Sequence, residues 1–516
     1  MRSITTSVFC LTMCASLSFA QSVAKGALTL HEAAGKVYPG TVRKYWVYVP
    51  AQYNPAKPAC VMVFQDGGVM VADNGNWRVT SVLDGLIQQG RIPPMIGIFV
   101  DPGVLPPAKS GVQSRDNRTY EYDSPGDRYA RLVSDEILPE VAARYNLSKD
   151  PNDYAIAGAG SGGMAALNAA WARPDIFRRV AAFSGSDANL RSPDLLVPLI
   201  RRTEPKPLRV FLQDTAEHRA LFSALQLAGY ETMSVNAPRG EAALADALRW
   251  VWKEYPKPVV KRSPEWEFVG EGYQLTGDTT VDRAGNVFFT DAHHNRIYKI
   301  DTGGKIALWK EDSGGAHGIA AGPDGRLHAG QHDRKRIVAL EPNGAEAIVA
   351  EGIQTHHLAV TARNEVYYAD APNRTVWLID AEGKRRAVTR ELSWPHCLLL
   401  SPDQSMLLVD DSHTRWVWSF QIEHDGSLTD GQPFYRLEAA DDTAETEPGG
   451  MAFDANGLLY VATGLGVQIC DRQGRVVKIL NPPGKDGLTS VFFAGSKSEW
   501  LYITDFERIY RRPFRK

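Results

Sequence analysis

Apolar and polar positions change rhythm once along this chain. Between about Leu28 and Tyr255, short runs of β-branched and apolar residues alternate with stretches whose apolar residues recur every three or four positions. Arg43–Val49, Cys60–Gln65, Ile96–Val100, Tyr154–Ala157 and Arg209–Leu212 have the length and content of strands. Arg128–Tyr145 sets Leu132, Ile137, Val141 and Tyr145 on one helical face, and Ala242–Trp252 does so with Leu244, Leu248 and Val251. Strand and helix in alternation predict a parallel sheet covered by helices.

Past Pro256-Lys257-Pro258 the helical spacing stops and short strands separated by Gly, Asp and Asn turns take over. One phrase recurs: Asp-x-x-Gly, an alternating aromatic and β-branched run, then Asp and a turn. It is clearest in Asp282–Asp291 and returns at Asp324–Leu327, Val366–Asp370, Asp403–Asp411, Asp454–Tyr460 and Leu501–Asp505. Six copies at a period of roughly 40 residues predict a six-bladed β-propeller. The expected organisation is a first domain over 28–256, a linker over 257–263 and a propeller over 264–516.

Composition narrows the function. Charged residues make up 23% of the 516 and the formal net charge is -3, so no basic excess draws nucleic acid or an anionic membrane. A small-molecule or carbohydrate partner is the expectation. Residues 1–20 read as an export signal, with Arg2 before an apolar Val8–Phe19 and a small-x-small Ser18-Phe19-Ala20 site. No later run is long enough for a membrane span, so a secreted or periplasmic location is expected. The cysteines after the signal are Cys60, Cys397 and Cys470, an odd number spread over both domains that predicts buried thiols rather than a disulfide frame.

Candidate chemistry begins at Gly158-Ala159-Gly160-Ser161-Gly162, which follows a strand and opens a helix. That is the setting of a nucleophile elbow, whose central serine projects from a strained turn toward a histidine. Glycine stands at the centre here, and the loop Asn236–Glu241 before the last helix holds no histidine. A register-shifted nucleophile at Ser161, with His218 as base, is the alternative. In the second half, His317, His356 and His396 follow one another at 39 and 40 residues, each at the start of a blade's inner strand. Residues at one phase of a propeller converge on the channel mouth. Three imidazoles would suit a transition metal, zinc above all, and leave a position open for water or substrate. Asp278, His332, His357 and Arg336 are candidate acid, base or substrate groups; His293, His294 and His413 also lie near blade ends.

The first domain resembles esterase D/enterochelin-esterase-like proteins, through Val63–Gly68, Ile96–Gly103, Arg118 with Glu121-Tyr122-Asp123, the elbow, Trp171–Pro174, Phe211–Asp214 and Leu244–Trp250. The resemblance implies an α/β-hydrolase fold with a nucleophilic serine where Gly160 stands. The second domain resembles gluconolactonase and regucalcin-like propellers, through Gly314–Gly318, Ser401–Ser405, Asp425–Leu428 and Pro448–Met451. That family implies a divalent ion held by Glu, Asn and Asp at the positions of Gly277, His396 and Gly449, with asparagines where His317 and His356 stand. A histidine site in place of an oxygen site favours a transition metal over calcium or magnesium. Together the two halves predict a gluconolactonase-like metal-dependent hydrolase or lyase with an inactive esterase-like domain. The rival expectation is a non-catalytic periplasmic binding or assembly protein.

Overall fold

The computed structural model describes residues 23–514 except 108, 110, 112, 125, 184–191, 217, 261–264, 440–448, 485 and 496. The export signal and part of the linker therefore lie outside the described residues. No described helix is long and apolar enough to cross a membrane. Cys60, Cys397 and Cys470 are all buried free thiols.

The first domain is a ten-stranded sheet. Its strands are β1 (Ala27–Ala34), β2 (Val42–Val49), β3 (Cys60–Gln65), β4 (Met95–Val100), β5 (Val104–Leu105), β6 (Arg115–Asp116), β7 (Tyr154–Ala159), β8 (Arg179–Phe183), β9 (Arg209–Gln213) and β10 (Glu231–Val235). The order is β10-β9-β8-β7-β3-β4-β2-β5-β6, with β1 antiparallel to β2. β3 and β4 are buried at every residue. Helices on both faces enclose such central parallel strands, which is why they read as unbroken apolar runs. Arg128–Tyr145 is not one regular helix: Leu132–Ile137 is a π-helical turn between two α-helical pieces.

Six four-stranded sheets form the second domain. Its recurring phrase has a physical reason. Asp282 Oδ1 accepts from the amides of Ala284 at 2.9 Å and Asn286 at 2.8 Å, while Gly285 takes a left-handed φ of 85°. Asp454 and Gly457 repeat the device with the amides of Asn456 and Leu458. The Asp side chain closes the hairpin turn and glycine supplies the conformation other residues resist. The ring closes when Glu267–Glu271, first in sequence, pairs antiparallel with Arg508–Pro513 as the outer strand of the last blade.

A buried clamp joins the two domains. Glu204 follows the helix Ser192–Arg202, and its carboxylate pairs with Arg512 at 2.8 and 3.2 Å; the two side chains are 4% and 9% exposed. Asn481 Nδ2 donates to the Glu204 carbonyl at 2.9 Å, and the Glu204 amide donates to the Ile479 carbonyl at 3.0 Å. Trp266 donates to the Asn481 carbonyl at 2.7 Å and lies under the Arg512 guanidinium. The first domain is thereby docked onto the fifth and sixth blades.

Candidate functional site at the propeller mouth

The inner strand of blade two, Ala316–Ala321, carries His317 as its second residue, and that of blade four, Pro395–Leu400, carries His396 as its second. His356 and His357 immediately precede the inner strand of blade three, Leu358–Val360. The phase read from sequence therefore brings the three expected ligands together. His317 and His356 have ring centroids 4.7 Å apart, and His356 and His396 6.0 Å. His332 completes the group. It sits in the turn after Leu327–Gln331, with its ring 5.1 Å from both His317 and His356. From sequence it is a candidate acid, base or substrate group, off the phase of the three expected ligands.

Burial, with neighbouring imidazoles adding to it, lowers the pKa of His317, His356 and His396 to about 4 each. All three are neutral near pH 7, with a lone pair available on each ring. His396 Nδ1 is buried and has no hydrogen-bond partner among the described residues. Asp278, on the inner strand of blade one, is held at both oxygens: Oδ1 accepts from the Thr279 amide at 2.8 Å and Oδ2 from the Ile319 amide at 3.1 Å.

His357, next to His356 in the chain and only slightly exposed, reaches Asp278 and Cys397. The Leu398 amide nitrogen lies 3.2 Å from His357 Nδ1. Nε2 of the same ring lies 2.9 Å from Asp278 Oδ1 and 3.1 Å from Cys397 Sγ. Burial pulls the His357 pKa down, but Asp278 and Cys397 outweigh it and hold the pKa well above the ordinary value. Asp410 lies deeper, bonded by the Cys397 amide and by Ser412 Oγ at 2.6 Å. Burial raises its pKa to about 7.

Arg336 requires a correction, because the structure does not bring it to the cluster. Its guanidinium is held within its own blade, by Gln331 Oε1 at 2.6 Å and Glu346 Oε2 at 2.6 Å. His294 is bonded to Asp291 at 2.9 Å, and exposed His413 stacks on Trp394 with centroids 4.6 Å apart. The metal expectation is corrected in one respect: among the described residues, no three His, Cys, Asp or Glu side chains form a ready-made ion site. The spacing of His317, His332 and His356 still fits, while His396 stands further off, 6.0 Å from His356. Imidazoles sharing one ion through nitrogens at about 2.0–2.1 Å place their ring centres roughly 5 Å apart. The terminal torsion of histidine is broad, so aiming the rings costs little compared with moving the strands. An oxygen-ligand set cannot be rebuilt in its place, since a Cβ at Gly449 would meet the Thr489 carbonyl oxygen at 2.4 Å and one at Gly277 would meet Thr290 Oγ1 at 2.7 Å.

In the first domain, Gly160 carries the elbow: φ 59° and ψ −131°, immediately before the helix Ser161–Ala172. This is the strained geometry in which a nucleophile would be presented, and the residue holding it has no side chain. Ser161 is a buried first helical residue whose hydroxyl bonds to Asp123. His218 uses Nδ1 on the Gln213 carbonyl at 3.0 Å. Nearby, Arg118 makes a bidentate pair with Asp66 at 2.8 and 2.9 Å.

A cleft of about 1630 Å³ lies between the domains. Asp278, His317, His356 and His396 line it from the propeller, and Arg131, Trp171, Arg173 and Lys206 from the first domain. Trp171 is at the far end of the elbow helix from Gly160, so this cleft is not the old esterase pocket.

Comparison with known proteins agrees with this division. Residues 37–250 match the Esterase family model, and residues 276–507 match the SMP-30/Gluconolactonase/LRE-like region. A gluconolactonase of Zymomonas mobilis is 21% identical over 274 residues, which cover 46% of this chain and 77% of that protein. An iron(III) enterobactin esterase of Dickeya dadantii is 29% identical over 155 residues, covering 28% of this chain and only 30% of that protein. Among solved structures, a gluconolactonase of Xanthomonas campestris aligns with TM-score 0.43 and 19% identity, over 48% of this chain and 88% of that one. The chain is thus similar to esterases over 37–250 and to gluconolactonase-like proteins over 276–507.

Proposed function

We propose that this protein is a secreted or periplasmic metal-dependent hydrolase or lyase of the gluconolactonase-like class, acting at the propeller mouth on a sugar lactone or another carbohydrate-derived substrate. One observation carries the reading: the cluster of His317, His332, His356 and His396, three of them with pKa lowered to about 4 and so neutral where the protein works. These side chains would hold a divalent transition metal, zinc by donor type. Such an ion supplies Lewis acidity to a substrate carbonyl.

The chain's own groups complete the chemistry. Asp278 is the carboxylate beside the imidazoles and can accept a proton from an attacking water. His357 fixes the orientation of that carboxylate, with its Nε2 2.9 Å away. His332 would contact substrate or join the ligand set. The first domain acts as a scaffold or binding module, a reading favoured by the empty side-chain position at Gly160.

The test pairs metal content with turnover. Purified protein should contain close to one transition-metal ion per chain and hydrolyse glucono-δ-lactone, and His317→Ala with His356→Ala should lose both. A metal-free protein that takes up no ion on incubation with zinc would defeat the metal-dependent reading.

A further inference from the structure

Two walls of the interdomain cleft come from residues far apart in sequence, and the Glu204–Arg512 clamp fixes them relative to each other. The cleft exceeds the roughly 300–1,000 Å³ usual for a pocket that holds one drug-sized ligand. The histidines occupy only part of it. The rest is mostly apolar, with Leu196, Leu199, Leu465 and Pro482 among its lining, and charged side chains and aromatic rings are set into it.

On the first-domain wall Arg131 is paired with Asp127 at 2.9 Å, and Arg173 is paired with Asp175 at 2.9 and 2.7 Å. Across from them, Trp394 and His413 form a stacked aromatic platform, their planes 13° apart. Acidic and basic groups alternate, so the lining has no single sign with which to attract a polyanion. Carboxylates and guanidiniums offer paired acceptors and paired donors to vicinal hydroxyls, and an aromatic face covers the C–H side of a sugar ring. Polyhydroxylated chains present both surfaces.

We propose that this cleft is one composite binding site for an oligosaccharide, whose lactone end reaches the histidines while the following sugar units lie along the first-domain wall. This rests on the reading of the propeller as a carbohydrate-lactone enzyme and extends it to substrate size. The esterase-like domain then contributes substrate recognition although its own elbow lacks a nucleophile.

The experiment measures binding separately from turnover. By isothermal titration on the full chain, gluconate is compared with cellotrionate and maltotrionate, the open-chain acids of a mono- and two trisaccharide lactones. At least one trionate should bind about tenfold or more tightly than gluconate, reflecting contacts beyond the first unit. The double variant Arg131→Ala with Arg173→Ala should bring that ratio toward one, with its melting temperature recorded to show that it is folded. Ratios near one for both trionates, no binding of any of the three acids, or a ratio unchanged in the folded variant would overturn the proposal. Turnover of glucono-δ-lactone by the same preparations reports on the enzyme reading. Turnover with a ratio of one removes the composite site alone, whereas a high ratio without turnover removes the lactone-hydrolase reading and leaves the site.

Discussion

The imidazoles of His317 and His356 come from neighbouring blades and stand edge to face, with centroids 4.7 Å apart and planes at 77°. Two imidazolium ions at that distance in a half-buried mouth would repel strongly, so the pair is built to stay uncharged.

The first consequence is a dependence of stability on pH. His317, His356 and His396 have pKa values of about 4 in the folded protein against an ordinary 6.5. As pH falls from 6.5 to 4 the unfolded chain takes up protons that the folded one refuses, so stability from these groups is present above 6.5 and lost as pH falls toward 4. Asp410, raised to about 7 by burial, acts in the opposite direction because its folded form binds the proton first as pH falls. Urea unfolding at pH 7.5 and 5.0, in the wild type and in His317→Ala with His356→Ala, separates the two. The variant should lose less stability than the wild type over that interval.

Removing one side of the interdomain clamp should be costly. Glu204→Ala leaves Arg512 as a buried cation without its bidentate partner, and such losses run to about 3–5 kcal/mol. Thermal unfolding should show a lowered or split transition, as the domains lose their common dock. An unchanged single transition would mean that the clamp contributes nothing to docking.

Asp278→Asn keeps the shape of the side chain while removing the charge that faces His357. Turnover should fall by about 10²-fold or more if Asp278 takes the proton in the reaction. Metal content should stay unchanged, because the carboxylate already receives two backbone amides and a ring N–H. Turnover near the wild-type level would remove Asp278 from the chemistry.

Restoring a hydroxyl to the elbow should not restore an esterase. Gly160→Ser places serine at φ 59° and ψ −131°, a strained backbone that costs about 1–3 kcal/mol. Asn236–Glu241 supplies no histidine to act as its base. Neither the wild type, through Ser161, nor the variant should react with a fluorophosphonate probe. Labelling of the wild type would mean that Ser161 is an activated nucleophile despite its bond to Asp123.

What the sequence revealed follows from locality. The strands Cys60–Gln65 and Arg209–Leu212 were legible because fully buried parallel strands are unbroken apolar runs. The phase of His317, His356 and His396 was legible because every inner strand repeats one register. His332 reads from sequence as an acid, base or substrate group and not as a ligand, because a hairpin returns it to the mouth from a second strand, off the repeat phase. Arg336 was misplaced because position near a blade end does not say whether a side chain points to the channel or, as here, to Gln331 and Glu346. The cleft was invisible, since its walls depend on a contact between Glu204 and Arg512, 308 residues apart.

The central claim is that the four imidazoles at the propeller mouth bind a metal ion. Elemental analysis of the full-length protein, followed by X-ray absorption at the edge of whichever metal it contains, tests this most directly. Close to one transition-metal ion per chain is expected, with a shell of at least three nitrogen ligands at about 2.0–2.1 Å, lost in His317→Ala with His356→Ala. Protein with no bound metal after zinc incubation, or an all-oxygen shell that persists in that variant, would contradict it.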